Sequence, residues 1–256
     1  MLTWEQIKSF YVNQNIQAKN ILVEYLQAEI LDSLFKQEDS RYLSFIGGTA
    51  LRIVYGGNRF LEDLDFDNFG MSFTKVTALV GSMAKDMELK GFVLEIRAVK
   101  KEAFHCYIKF PAVLQKAGIS PLGEEKILIR IDTAQKKNFF VSENFKLTAF
   151  DLYRNLRVNP LPIILAQKIL AGIERKREKG RDFYDINLFW SRVEPDFNYL
   201  RKLSGLNKEQ IVKRLNQRCM GLNFKKLSKD VEPFLTKPEQ IERVKGFKEF
   251  LQGKIQ

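Results

Sequence analysis

Two short stretches carry side chains whose types and spacing suit phosphate chemistry: Phe45-Ile46-Gly47-Gly48-Thr49-Ala50-Leu51 and Glu62-Asp63-Leu64-Asp65-Phe66. Gly47 and Gly48 can adopt backbone angles closed to other residues. A turn there can bring its N–H groups, and the start of a following helix, up to an anionic phosphate. Thr49 adds a hydroxyl. In Asp63-Leu64-Asp65 the two-residue period of a strand puts both carboxylates on one face, with Leu64 and Phe66 on the other. Two adjacent acids repel unless a cation holds them, and Mg²⁺ bridges carboxylate and phosphate oxygens in chemistry on nucleoside triphosphates. The local reading is a strand, a glycine turn, a short helix and a second strand bearing the acids.

Other elements must position these groups. In Ile127-Leu128-Ile129-Arg130-Ile131-Asp132 the isoleucines share one face of a strand and Leu128, Arg130 and Asp132 the other. Asp132 at the strand end is a candidate third acid for a two-metal clamp, although an isolated aspartate there more often forms a turn. His105 is the only histidine. With no nucleophile or second histidine arranged around it, a structural role is expected, and neither a histidine triad nor a zinc site is supported. Strands are expected over 92–99, 103–110 and 126–133, and a helix from Ser72 or Thr74 through Met87, closed by Gly91. Thr3 to Gln6 has capping-box spacing, and a helix over 17–36 carries the stripe Ile21, Leu22, Tyr25, Leu26, Ile30 and Leu34, read as an N-terminal brace.

The prolines Pro160 and Pro162 in the segment 154–162 mark a boundary, after which helices are expected over 161–177, 182–190, 208–219 and 238–251. Lys168 shares a helix face with Ala171, Gly172 and Arg175, where small residues beside two cations leave room for a ligand; a solvated basic face continued by Lys176, Arg177 and Lys179 is the simpler explanation. Asp182 and Asp185 share a side, Arg181 is spaced to pair with Asp185, and Phe183, Ile186 and Trp190 form a buried stripe.

At 256 residues with 45% hydrophobic content, the chain has ample material for a core. Cys106 and Cys219 match neither a disulfide framework nor a CxxC metal site, which favours a reducing, cytoplasmic setting. The N-terminus lacks signal-peptide character and no apolar run has membrane-spanning length. A net charge of +11, from 42 Lys and Arg against 31 Asp and Glu, suits a polyanionic partner such as RNA, or simply a lysine-rich surface.

Together these parts resemble the AbiEii/AbiGii-type nucleotidyltransferases, toxins of toxin–antitoxin and phage-defence systems in the polymerase-β-like superfamily. That family's pattern is a GGTAL turn, an arginine, DLDF, then a helix lysine and an R-D-x-x-D segment. Here the matching parts are Gly47 to Leu51, Arg59, Asp63 to Phe66, Lys168 and Arg181 to Asp185. There are two departures: Leu61 stands where serine or threonine is usual, and Gln167 where glutamate often precedes the lysine. The resemblance implies an α+β fold, with a polymerase-β-like nucleotidyltransferase domain of mixed sheet and helices over 1–150. A helical domain over 151–256 would complete the active site. It also implies Mg²⁺ or Mn²⁺ on Asp63 and Asp65, with Asp132 as third acid. Gly47, Gly48, Thr49 and Arg59 would meet the NTP triphosphate, Lys168 would stabilise phosphate charge, and Asp182 or Asp185 would orient Lys168 or the acceptor. The implied reaction moves an NMP to an acceptor hydroxyl, with the tRNA 3′ end as acceptor and an antitoxin as partner. The alternatives are a protein or small-molecule acceptor, or an inactive nucleotide- or RNA-binding relative.

Overall fold

The computed structural model describes residues 1–11, 16–101, 103–123, 125–137 and 139–255, with only the backbone of the last. The chain divides into two compact units, Met1–Ala50 with Phe60–Val158, and Leu51–Arg59 with Asn159–Gln256.

Alternating apolar and polar residues build a seven-stranded mixed sheet in the first unit. Its strands are β1 (Leu43–Ile46), β2 (Leu64–Asn68), β3 (Glu95–Lys100), β4 (Phe104–Phe110), β5 (Ile127–Gln135), β6 (Glu143–Leu147) and β7 (Arg154–Val158), in the order β3-β4-β5-β2-β1-β7-β6. β1 runs antiparallel to β2 and parallel to β7, and β2 runs parallel to β5. Ile127, Ile129 and Ile131 are buried, Leu128 is exposed, and Arg130 and Asp132 are half-buried, as the strand period requires. The segment read as a boundary contributes β7, whose Leu156 and Val158 are buried. Its prolines mark the end of the strand.

α1 (Trp4–Ser9) opens on a complete capping box between Thr3 and Gln6. α2 (Ala18–Phe35) buries its expected stripe and also Val23, Gln27, Ala28, Glu29, Leu31, Asp32 and Ser33. It packs on β5, β7 and α4 (Phe73–Leu89) and buries more than the one face its apolar stripe marks. Its buried acids are matched by cations: Lys90 Nζ lies 3.0 Å from Glu29 and 2.7 Å from Asp32, and Arg154 Nε lies 2.8 Å from Asp32. Burial opposes the Lys90 charge, but Asp32 and Glu29 outweigh it and raise the pKa. α3 (Gly47–Ile53) follows β1 directly, Ser72 caps α4, and α5 (Val113–Lys116) is a single unforeseen turn.

The second unit contains α6 (Leu161–Glu174), α7 (Gly180–Trp190), α8 (Phe197–Ser204), α9 (Lys208–Met220), α10 (Phe224–Lys229), α11 (Glu242–Lys245) and α12 (Phe247–Ile255). Pro160 and Pro162 sit at the start of α6, where a missing N–H breaks no helical bond. Phe183 of α7 meets Phe224 and Phe247 at ring distances of 5.1 Å. A Cβ on Gly180 would fall 2.0 Å from the Leu227 carbonyl, so glycine lets α10 close on the start of α7. The single helix expected over 238–251 is instead a 3-10 turn followed by α11 and α12, separated at Gly246.

Candidate active site

The first unit brings the acids to one face of the sheet. Gly47 begins α3 with a φ of +78°, in the left-handed region. A Cβ there would fall 2.2 Å from Asp65 Oδ2, so the Asp65 carboxylate is seated against the helix start in space only glycine leaves. Thr49 is buried and its hydroxyl donates to the Asp63 carbonyl. The expected outward hydroxyl is thus turned inward to fix the strand that carries the acids.

Asp65, Asp132 and His105 are direct neighbours on the adjacent strands β2, β5 and β4. Asp132 Oδ1 lies 2.6 Å from His105 Nδ1, and Asp132 Oδ2 lies 2.9 Å from Arg130 Nε. Arg130 also donates from Nη2 to Asp63 Oδ2 at 2.8 Å. Burial works against the Arg130 charge, but Asp63, Asp132 and Asp65 together raise its pKa. His105, expected to be merely structural, belongs to this cluster. Arg130 is legible as a neighbour of Asp132 from the strand period alone, whereas His105 becomes one only once β4 and β5 are paired in register.

A second charge cluster lies within the second unit. Arg59 is 4% exposed and bidentate to Asp185, Nε to Oδ1 at 2.8 Å and Nη2 to Oδ2 at 2.7 Å. Lys168 Nζ lies 3.0 Å from Asp185 and 3.4 Å from Asp182, and Arg175 Nη1 lies 2.6 Å from Asp182. Lys168 is therefore not on a solvated face, and Arg59, not the exposed Arg181, pairs with Asp185. Nor is the Arg59 guanidinium turned outward to a triphosphate, because the buried carboxylate holds it. Burial alone would raise the Asp185 pKa, yet Arg59 and Lys168 hold it below the ordinary carboxylate value.

Hard divalent cations take oxygen donors. Asp63 and Asp65 supply them, and the space left by Gly47 at Asp65 Oδ2 suits a ligated carboxylate. Asp132 is committed on both oxygens, and among the described residues no three His, Cys, Asp or Glu side chains gather as a metal-holding group.

A mixed sheet with paired acids after a glycine-started helix, followed by a helical unit, is the architecture of a nucleotidyltransferase. The solved structure of MenT4, a nucleotidyltransferase toxin from Mycobacterium tuberculosis H37Rv, is similar with a TM-score of 0.62 at 19% identity, covering 98% of this chain and 90% of that one. A putative nucleotidyltransferase from Helicobacter pylori gives 0.60 at 18% identity, with 93% and 96% covered. JHP933 from Helicobacter pylori gives 0.57 at 15% identity, with 94% and 95% covered. By sequence, no curated protein matches. The profile described as "Nucleotidyl transferase AbiEii toxin, Type IV TA system" matches residues 29–253. The chain belongs to the AbiEii nucleotidyltransferase toxin family.

Proposed function

We propose that the protein transfers a nucleoside monophosphate from an NTP to the hydroxyl at the 3′ end of tRNA, with release of pyrophosphate. The observation that carries this reading is the Asp65 carboxylate seated against Gly47 and spaced two residues from Asp63. Asp63 and Asp65 would hold Mg²⁺ or Mn²⁺. A cation so held would neutralise phosphate oxygens and lower the pKa of the acceptor hydroxyl. Thr49 fixes Asp63 from behind, and the N–H groups of Gly47 and Gly48 would meet the triphosphate. Asp132 would join as third acid once its oxygens are released by His105 and Arg130.

In the second unit Lys168 would stabilise phosphate charge. Both Asp182 and Asp185 touch its Nζ and would orient it, while Arg59, by clamping Asp185, acts as a positioning residue. The net charge of +11 supports an RNA acceptor, whose phosphates the cations would neutralise. Membership of a type IV toxin family supports an antitoxin as partner.

The test is incubation of the purified protein with Mg²⁺, total tRNA and each α-labelled NTP in turn. Label is expected at tRNA 3′ ends, removable by a 3′ exonuclease. Label on a lysate protein or small molecule, with none on tRNA, would overturn the acceptor.

A further inference from the structure

The net charge is divided very unevenly between the two units. Residues 1–50 with 60–158 hold 19 Lys and Arg against 19 Asp and Glu, while residues 51–59 with 159–256 hold 23 against 12. The whole excess of +11 therefore belongs to the helical unit. Within that unit several exposed cations are built into one surface. The carbonyl of Arg175 accepts from Arg218 Nη2 at 3.2 Å, and Arg218 reaches Glu178 at 3.5 Å, which ties the 175–181 segment to α9. The bare Gly180 seats α10 on the start of α7. α10 buries Phe224, Leu227 and Ser228 and leaves Lys225, Lys226 and Lys229 exposed together. Lys176, Arg177 and Arg181 are exposed on the adjoining segment, and only Glu174, Glu178 and Asp230 interrupt them.

We infer that this ridge, formed by the 175–181 segment and α10, is the docking surface for the phosphate backbone of an RNA. The inference rests on the proposed function for the choice of RNA; the charge division stands without it. Arg175 joins the ridge to the Lys168 cluster: it pairs with the buried Asp182 while keeping 38% of its side chain exposed. Among the described residues, neither 175–181 nor α10 exposes a large apolar side chain of the kind that enters a lipid surface. Counterion release makes the ridge a sequence-tolerant grip, and its strength should fall steeply with salt.

The test measures fluorescent total tRNA binding by anisotropy across a salt series for three variants with exposed substitutions. Two lie on the ridge, K225Q/K226Q/K229Q and K176Q/R177Q/R181Q, and the third, K100Q/K136Q/K137Q, lies in the first unit. Each ridge variant is expected to bind tRNA about tenfold or more weakly at ~0.1 M salt and to lose about 2 to 3 from the slope of log K against log salt. The first-unit variant should change affinity by less than about twofold. Binding of a fluorescent NTP analogue should be unchanged in all three. Equal losses in all three variants, no loss in the ridge variants, or tighter binding to phosphatidylserine vesicles than to tRNA would overturn the ridge. Failure of the wild type to move label from any NTP to any acceptor would instead overturn the proposed function.

Discussion

The two charge clusters use the same residue types in opposite environments. In the first unit the side chains of Arg130 and Asp63 are 34% and 28% exposed; in the second those of Arg59 and Asp185 are 5% and 3% exposed. A half-buried ion pair that water still reaches is partly screened, so Arg130 can leave its acids at smaller cost. A buried pair has lost its hydration, and removing one partner strands the other in a poor solvent. Charge chemistry that must exchange ligands belongs in the first environment, and charge geometry that must not move belongs in the second.

The sharpest way to break this contrast is to remove one acid from each cluster. Asp185→Ala leaves Arg59 and Lys168 without their shared carboxylate and should cost about 3–5 kcal/mol in urea unfolding. A loss below ~1 kcal/mol would mean that the second cluster is as loosely coupled as the first. Gly47→Ala forces a Cβ into the Asp65 carboxylate at a left-handed backbone position. It should destabilise by about 1–3 kcal/mol and reduce transfer together. Unaltered transfer would detach Asp65 from the chemistry.

Smaller effects sharpen the comparison. Arg130→Gln should change stability by less than about 1 kcal/mol while tightening Mn²⁺ binding, read by electron paramagnetic resonance, because a cation competing for Asp63 is gone. Weaker Mn²⁺ binding would make Arg130 part of the support for the site. The pH dependence should follow the buried cluster. The folded-state pKa of Asp185 is lowered, so its contribution is fully present above the unfolded carboxylate value of about 3.9 and is lost as pH falls through the lower folded value. Acid melts of Asp185→Asn should lack that part of the slope. The buried thiols titrate the other way: burial pushes Cys106 to about 11 and Cys219 to about 12. Their contribution is present below the ordinary thiol value and lost as pH rises toward those values, and native protein should resist thiol reagents until unfolded.

What could be read from the sequence depended on how local each signal was. β1, α3 and β2 were legible because glycine turn chemistry and strand alternation act within a few residues. The Arg59–Asp185 pair was not, because its partners are 126 residues apart and no local rule selects Arg59 over Arg181. The two-residue period put Arg130 and Asp132 on one face, but their engagement with Asp63 and His105 depends on register between strands. β7 was hidden because its charged Arg154 and Arg157 and the prolines after it look like a boundary, while its burial comes from pairing with β1 and packing on α2. The burial of Glu29 and Asp32 on α2 was hidden for a related reason: these polar residues look solvent-facing until Lys90 and Arg154 are brought to them.

The most direct measurement is NMP transfer from α-labelled NTP by Asp65→Asn beside wild type, with both melting temperatures recorded. The expected result is a folded protein whose transfer falls by about 10²–10³-fold or more. Transfer at the wild-type rate by a folded Asp65→Asn protein would contradict the assignment of the chemistry to the half-buried acids of the first unit.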